Sequence, residues 1–237
     1  MTQGIIRHNY RKISALINKL VHRRMYFNPT LDKGIIDGFH KFYYDSYVWE
    51  DATYWLGILT QKCPLDLWIC QEIIYKLKPD VVIETGTAQG GAALYIASIC
   101  DLLNNGKILT IDIKEEAGRP HHPRIQYLIG SSTSEKIIEL VKTLIKETDK
   151  VMVILDSDHS KKHVLNELRI YSKFVTKGSY LIVEDTNLNG QPVIPQFGPG
   201  PMEAVKEFLK EPNDFVIDRD KEKFYLTFNP SGYLKRR

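Results

Sequence analysis

The chain has 237 residues, 43% hydrophobic and 26% charged, which fits a folded globular protein and excludes a disordered or collagen-like one. Its 32 Lys and Arg residues nearly balance 29 Asp and Glu residues, and the net charge of +3 gives no indication of nucleic-acid binding. No apolar run reaches transmembrane length, and three cysteines without paired spacing argue against a disulfide framework or a thiolate zinc site. We therefore expect a cytoplasmic protein without a secretory signal.

The first 25 residues carry six Lys and Arg residues and no Asp or Glu, and their aliphatic side chains recur at helical spacing. This pattern predicts a basic amphipathic helix, and two roles for that helix are open. Its apolar stripe packs on the protein itself or on a second subunit, or its basic face contacts an anionic membrane surface. The first is favoured because such helices commonly bury their stripe in protein, and it is compatible with a homo-oligomer. The second predicts peripheral contact with the inner face of the membrane.

Residues 26–60 are rich in aromatic side chains, a composition typical of a core or of a substrate cleft. The sequence does not distinguish these two uses. We predict an N-terminal extension over residues 1–60, made of the basic helix and the aromatic-rich segment. The second predicted domain covers residues 61–237 and has a more regular pattern.

From residue 64 onward, helical and strand patterns alternate. The predicted helices are 64–78, 91–103, one that starts at Ser132 or Ser134 and ends near 147, 161–174 and one near 201–210; the predicted strands are 80–84, 107–112, 125–129, 151–156, 179–185, and a closing hairpin of 214–218 and 223–228. Because the strands are nearly all apolar, we expect a sheet that is covered by helices on both faces. The prediction is an α/β fold with a doubly wound, mostly parallel seven-stranded sheet of Rossmann-like type.

A glycine-rich turn joins the first predicted strand to the helix after it. It contains Glu84, Gly86, Thr87, Gly90 and Gly91. Glycine allows a sharp turn and close approach to a ligand, and the helix start offers free N–H groups to an anion. The turn therefore predicts a cofactor site, although it lacks the G-x-G step of dinucleotide sites. A tight turn that uses glycine only for packing is the alternative.

Acidic residues suggest which cofactor binds there. Asp112 ends the second strand, where a carboxylate can accept hydrogen bonds from the ribose of NAD or of S-adenosylmethionine (SAM). Glu84 at the end of the first strand suits SAM better, because SAM carries a cationic amino-acid tail. Ser131, Ser132 and Asp156 complete the predicted cofactor-binding set. An NAD-dependent oxidoreductase on a similar sheet remains an alternative, against which the missing G-x-G step counts.

Two further strands end in acidic residues. Asp156, Asp158 and His159 follow the fourth strand, and Glu184 and Asp185 follow the fifth. Parallel strands bring these ends to one edge of the sheet, where crowded carboxylates repel one another without a cation. Oxygen ligands favour Mg²⁺, Mn²⁺ or Ca²⁺, and an imidazole suits proton removal near neutral pH, so His159 is the predicted catalytic base. Each acid pair could instead cap a helix or bind loop amides.

Two features near these strand ends concern substrate access. His163 lies one helical turn beyond His159 and is predicted to be a surface residue. The loop 187–201 contains four prolines and three glycines and is long for an α/β connection. Such loops are often lids or binding walls, and a well-ordered structural loop is the alternative.

Six stretches together resemble the cephalosporin hydroxylase/rhamnosyl O-methyltransferase family. They are KCPLDLW (62–68), IETGTAQGG (83–91), ILDSDHSKKHV (154–164), YLIVEDTN (180–187), FGPGPMEAV (197–205) and KFYLTFNPSGYLKR (223–236). The resemblance implies a class I SAM-dependent methyltransferase domain that also uses a divalent metal such as Mg²⁺. It assigns the metal to Glu184, Asp185 and an acid of the 156–158 segment, which is either Asp156 or Asp158.

The resemblance also implies an activity, the O-methylation of a hydroxyl group. The expected acceptor is a sugar, a glycolipid or polysaccharide such as lipopolysaccharide, or a natural product. A non-catalytic SAM-binding partner protein is the alternative. The chain keeps the whole set of acidic residues and His159, which argues against a protein that has lost catalytic activity.

Overall fold

The computed structural model describes residues 32–237, of which residues 40–237 form one compact unit. The basic helix predicted in the first 25 residues lies outside the described residues. The division into residues 1–60 and 61–237 therefore stays a prediction. Within the described part of the chain, no helix combines the length and apolar character needed to cross a bilayer.

Short elements precede the main sheet, and helices alternate with its strands. The first elements are α1 (Lys33–Asp45), α2 (Val48–Asp51), β1 (Tyr54–Trp55) and β2 (Ile58–Leu59). They are followed by α3 (Pro64–Leu77), β3 (Val81–Thr85), α4 (Gly91–Leu103), β4 (Lys107–Asp112), β5 (Ile125–Ile129), α5 (Glu135–Leu144), β6 (Val151–Leu155), α6 (Lys161–Tyr171), β7 (Tyr180–Val183), α7 (Pro201–Phe208), β8 (Phe215–Ile217), a 3-10 turn (Arg219–Glu222) and β9 (Tyr233–Arg236).

The main sheet has seven strands in the order β5-β4-β3-β6-β7-β9-β8. Strands β3 to β7 are parallel, whereas β9 runs antiparallel to both β7 and β8. The strand order reverses between β3 and β6, and in such sheets a ligand crevice opens at the carboxyl ends of those two strands. The predicted doubly wound, mostly parallel seven-stranded fold is confirmed.

The sheet is buried on both faces because successive strand residues point to opposite sides. Val81 and Ile83 belong to one hydrophobic cluster, which includes Leu168 of α6. Val82, between them in sequence, belongs to a second cluster with Ile73 of α3. This alternation fixes the strand register, since a shift by one residue would exchange the two faces.

The predicted closing hairpin is wrong in its second strand. Residues 223–228 do not form a strand, and β9 at Tyr233–Arg236 pairs with β8 instead. The backbone at Tyr225 has a φ of 66°, which interrupts an extended conformation. Leu226 and Phe228 are buried in a third hydrophobic cluster, so the apolar pattern of this segment reflects packing rather than strand pairing.

Asp66 in the first turn of α3 anchors the same C-terminal segment. Its carboxylate accepts hydrogen bonds from the backbone N–H of Phe228 at 2.7 Å and from the Tyr233 hydroxyl at 2.8 Å. The Thr227 hydroxyl also donates to it. These bonds join the start of α3 to the end of the chain, at the side of the sheet that carries β9.

Candidate active site

A cavity of about 820 Å³ opens at the carboxyl edge of the sheet. One end is bounded by the glycine-rich turn and by the residues that follow β4 and β5. The other end is bounded by aromatic and aliphatic side chains of α1, α2 and the 187–201 loop. The loop after β6 lies between them. Most of the predicted cofactor residues and the predicted metal residues Asp156, Asp158 and Asp185 therefore face one shared space, whereas Glu84, Gly90, Gly91 and Glu184 are not among the lining residues.

Gly86 allows the glycine-rich turn to pass close to the loop after β6. Its φ is 87°, and a Cβ at this position would lie 1.8 Å from the backbone oxygen of Asp156. Gly91 packs against a different segment: a Cβ at this position would lie 2.2 Å from the backbone oxygen of Leu59 in the β1–β2 hairpin. Gly90 and Gly91 do not line the cavity, and their close neighbours are protein atoms.

Asp112 at the end of β4 holds the glycine-rich turn in place. Its Oδ2 accepts hydrogen bonds from the backbone N–H groups of Thr87 at 3.1 Å and Ala88 at 3.0 Å. The same oxygen pairs with the Arg119 guanidinium at 3.1 Å, and Oδ1 accepts from the N–H of Lys114 at 3.0 Å. The carboxylate thus organises the turn and also lines the cavity.

Glu84 lies beneath the turn and is almost fully buried. Its Oε2 accepts a hydrogen bond from the Thr110 hydroxyl at 2.6 Å. Its Oε1 is buried without a hydrogen-bond partner among the described residues. Burial raises the pKa of Glu84 from its ordinary 4.5 to about 7. An unpartnered buried acceptor next to a cavity suits a ligand that brings a donor or a positive charge.

The raised pKa of Glu84 predicts how stability depends on pH. Between about pH 4.5 and 7 the folded protein binds this proton more tightly than the unfolded chain, so the free energy of unfolding falls as pH rises. A Glu84→Gln variant lacks this titration. As pH rises from 5 to 8, its free energy of unfolding should increase by up to about 3 kcal/mol relative to that of the natural protein. Urea unfolding at pH 5 and at pH 8, each with chelator, measures this difference. The exposed Glu147→Gln change is the control, and equal pH profiles for all three proteins would contradict the assignment.

The loop after β5 and helix α6 form the wall at the cofactor end. Ser131 lines the cavity, and the buried Ser132 hydroxyl lies 3.2 Å from Nε2 of His163. The same nitrogen is 3.4 Å from the buried Glu167 carboxylate, whose hydrogen bond raises the pKa of His163. The predicted surface position of His163 is wrong, because its partners hold it against the cavity wall.

Two of the predicted metal residues contact a buried lysine. The Lys62 ammonium contacts Oδ2 of Asp156 and Oε2 of Glu184. Only 8% of the Lys62 side chain is exposed. Burial favours the neutral amine, but the two carboxylates outweigh this effect and raise the pKa of Lys62 well above its ordinary value. Lys62 is therefore an internal cation among the strand-end acids.

Asp156, Asp185 and His159 form a group whose ligand atoms all lie within 4.8 Å of one another. His159 Nε2 is 3.4 Å from Oδ2 of Asp185. Burial raises the pKa of Asp185 above its ordinary value, and the nearby His159 opposes this rise. Two oxygen donors and one nitrogen donor at this spacing could hold a divalent cation.

Asp158 lies outside this group, although it lines the cavity. Its Oδ1 accepts a hydrogen bond from the backbone N–H of Ser160 at 2.7 Å, at the start of α6. Hydrogen bonds from Ser160 lower the pKa of Asp158. The structure therefore brings Asp156 together with Asp185 and His159, while Asp158 binds the backbone of Ser160, the N-cap residue of the helix that follows.

An aromatic wall closes the far end of the cavity. Tyr44 stacks on Trp49 with ring centroids 5.1 Å apart, and Trp49 meets Phe228 edge-on at 5.2 Å. Opposite this wall, the 187–201 loop contributes Ile194 and Phe197 to the cavity lining. The aromatic-rich segment thus contributes both to the core and to the cavity wall, and the long loop lines the same cavity.

Sequence reasoning did not identify Lys62 or Arg119 as parts of the site, and it left the aromatic-rich segment open between core and cleft. Lys62 lies in a matched stretch of the resemblance, but a lysine before a helix-opening Cys-Pro pair has the pattern of an ordinary loop residue. Arg119 lies in a loop without periodic pattern. Tyr44 and Trp49 carry a compositional signal only, because dense aromatic residues occur in cores and clefts alike.

Comparison with known proteins is consistent with this geometry. The family model Rhamnosyl O-methyltransferase/CmcI matches residues 47–237. Rhamnosyl O-methyltransferases of Mycobacterium tuberculosis and Mycobacterium leprae are each 40% identical to this chain, over 90% of it and over 89% and 94% of their own lengths.

Solved structures share the fold. A CmcI structure with Mg and SAM matches with a TM-score of 0.59 at 16% identity, covering 78% of this chain and 76% of the other. A CmcI structure with SAH matches with a TM-score of 0.54 at 17% identity, covering 78% and 81%. The class I methyltransferase fold and the predicted family are both confirmed. The chain belongs to the Rhamnosyl O-methyltransferase/CmcI family.

Proposed function

We propose that this protein is a SAM-dependent, divalent-metal-dependent O-methyltransferase that acts on a sugar hydroxyl. One observation carries the proposal. The glycine-rich turn with Asp112 and the group of Asp156, Asp185 and His159 line a single cavity, so a methyl donor and an acceptor can meet there. The names of the mycobacterial relatives favour a rhamnosyl acceptor, which we propose belongs to a glycolipid or polysaccharide.

The residues at the cofactor end suit SAM. A cavity of about 820 Å³ is within the range of sites for ligands of this size. The unpartnered oxygen of Glu84 lies beneath the turn and suits a cationic amino-acid tail. Asp112 and Ser131 line the region where ribose and base would lie. SAM supplies the methyl group when it is bound.

The residues between the two ends suit Mg²⁺. Asp156, Glu184 and Asp185 would hold the ion: Asp156 and Asp185 belong to the group with His159, and Glu184 shares the Lys62 ammonium with Asp156. Carboxylate oxygens are the ligands that Mg²⁺ prefers, which leaves His159 free to act as a base. Bound Mg²⁺ would supply Lewis acidity that makes an acceptor hydroxyl easier to deprotonate.

The protein's own groups then position the acceptor and remove its proton. Tyr44, Trp49 and Phe197 offer apolar surface for a sugar ring and exclude water from that end of the cavity. His159, whose Nε2 lies 3.4 Å from Oδ2 of Asp185, accepts the hydroxyl proton. The acceptor oxygen forms its new bond to the methyl carbon as the carbon–sulfur bond breaks. Holding both reactants in one cavity supplies much of the rate.

Calorimetric titration with SAM and with NAD⁺, each with and without Mg²⁺, tests the cofactor. We expect micromolar SAM binding and no NAD⁺ binding. Methyl transfer to a rhamnoside, followed by mass spectrometry, then tests the reaction. Binding of NAD⁺ instead of SAM would support the oxidoreductase alternative. SAM binding without transfer to any sugar, with and without metal, would support a non-catalytic SAM-binding protein.

An Asp112→Ala change is expected to weaken SAM binding by about ten- to a hundredfold, because two turn amides and Arg119 lose their acceptor. Asp112→Asn retains one acceptor oxygen and should lose less. Calorimetry with SAM measures both. The matched control is Asp101→Ala, since Asp101 pairs with Arg124 and does not line the cavity. Unchanged SAM affinity in Asp112→Ala would mean that this carboxylate has no part in cofactor binding.

Cellular placement and assembly belong to the same proposal. A cytoplasmic enzyme that modifies a membrane-linked glycan would benefit from peripheral contact with the inner face of the membrane, and residues 1–25 carry the charge for it. The same segment could instead join copies of the chain into a homo-oligomer.

A further inference from the structure

Lys62 occupies a position that the proposed reaction leaves unexplained. It precedes Cys63, the residue that caps the start of α3, and its side chain reaches the ends of β6 and β7. There its ammonium contacts one oxygen of Asp156 and one oxygen of Glu184. The side chain is 8% exposed and lies at the floor of the cavity.

The charges around Lys62 are unbalanced. Glu84, Asp156, Glu184 and Asp185 place four carboxyl groups at one sheet edge, and 18% or less of the side chain is exposed for each of the two that contact the lysine. A buried charge without a counter-charge costs several kcal/mol. Even with Glu84 protonated, one ammonium cannot neutralise the other three carboxylates, so the site is able to accept further positive charge.

We propose that Lys62 is the resident counter-ion of the metal-free site and that a divalent cation must displace it from Asp156 and Glu184. This inference rests on the proposed function. A metal ion would contact its carboxylate oxygens at about 2.1 Å, and two cations cannot share the same two oxygens without strong repulsion. The lysine stem is flexible, and the adjoining cavity gives the ammonium space to withdraw.

Two consequences follow from this exchange. Lys62 stabilises the fold when no metal is present, because it neutralises part of the buried negative charge. It also lowers metal affinity, because the ion must break two ammonium–carboxylate contacts before it binds. Lys62 therefore sets the metal concentration at which the site fills.

Calorimetric titration with Mn²⁺ alone, on the natural protein and on Lys62→Met, tests the exchange. Methionine keeps much of the stem and removes the charge. We expect Lys62→Met to bind Mn²⁺ at least about tenfold more tightly. In chelator it should unfold at a lower temperature than the natural protein, and Mn²⁺ should raise its unfolding temperature by more. Equal or weaker Mn²⁺ binding by a folded Lys62→Met protein would overturn the inference.

Matched variants separate displacement from a general effect of charge. Lys114 lines the same cavity without contacting these carboxylates, so Lys114→Met should change Mn²⁺ affinity less than about twofold. Lys62→Arg keeps the charge and should bind Mn²⁺ no more tightly than the natural protein. In a Glu184→Gln background, Lys62→Met should gain less affinity than it does alone. A gain of the same size in that background, or in Lys114→Met, would show that contact with Glu184 is not the cause.

The outcome is distinguishable from failure of the proposed function. SAM binding is measured in the same proteins as a separate readout. Unchanged Mn²⁺ affinity in Lys62→Met, together with SAM binding and methyl transfer, would overturn this inference alone. Absence of Mn²⁺ binding from both proteins would overturn the inference and the metal part of the proposed function together.

Discussion

An Asp185→Ala enzyme is expected to lose metal-dependent methyl transfer by about a thousandfold or more, while its SAM affinity stays nearly unchanged. Asp185 lies in the group with Asp156 and His159, so the change removes both a metal ligand and the carboxylate beside the base. Initial rates with a rhamnoside acceptor, with Mg²⁺ and with chelator, measure the loss. Calorimetry with SAM shows whether the cofactor end is intact.

The informative control is Asp158→Ala. Asp158 also follows β6 and lines the cavity, but its carboxylate binds the Ser160 amide and lies outside the group. We expect its rate to fall only a few fold, because it loses only the bond that orders Ser160, the N-cap residue of α6. A loss as large as that of Asp185→Ala would make Asp158 the ligand in place of Asp156. Equal activity of the natural protein with and without chelator would contradict metal dependence.

A Gly86→Ala change is expected to reduce the free energy of unfolding by several kcal/mol and to abolish SAM binding. The added Cβ would lie 1.8 Å from the backbone oxygen of Asp156, and the φ of 87° disfavours any L side chain. Relief of the clash would separate β3 from β6 at the edge where the cavity opens. Urea unfolding and SAM calorimetry measure the two effects.

Gly118→Ala is the control that separates the cost of backbone strain from the cost of a steric clash. Gly118 has a φ of 90°, but its Cβ would meet nothing within 4 Å. We expect a cost of about 1 kcal/mol from backbone strain alone. If Gly86→Ala were no less stable than Gly118→Ala, the close approach of the turn to Asp156 would not be needed for folding.

Much of the architecture was predictable because it is encoded in local patterns. All-apolar strands alternating with helices require a parallel sheet with two covered faces, and such a sheet brings its strand ends to one edge. That rule alone placed Asp112 and Asp156 around one cavity, with Glu84 buried at the same edge of the sheet. It also predicted that Asp185 would lie near Asp156, although 29 residues separate them along the chain.

Contacts between distant segments could be decided only by the tertiary structure. The choice between Asp156 and Asp158 depends on side-chain direction after β6, because both residues follow the same strand. The error at residues 223–228 has a similar cause, since apolar residues that pack on the aromatic segment have the composition of a strand.

Lys62 is the clearest case of a residue whose role the tertiary structure decided. The sequence determined the fold class, the edge at which the site lies and the acids that form it. A lysine in a loop before a helix carries no periodic signal, and its charge gains a role only when α3 docks against the sheet. Docking brings its ammonium to carboxylates that are 94 and 122 residues away along the chain. Periodicity describes only near neighbours, whereas the electrostatics of this site depend on which distant chain segments meet.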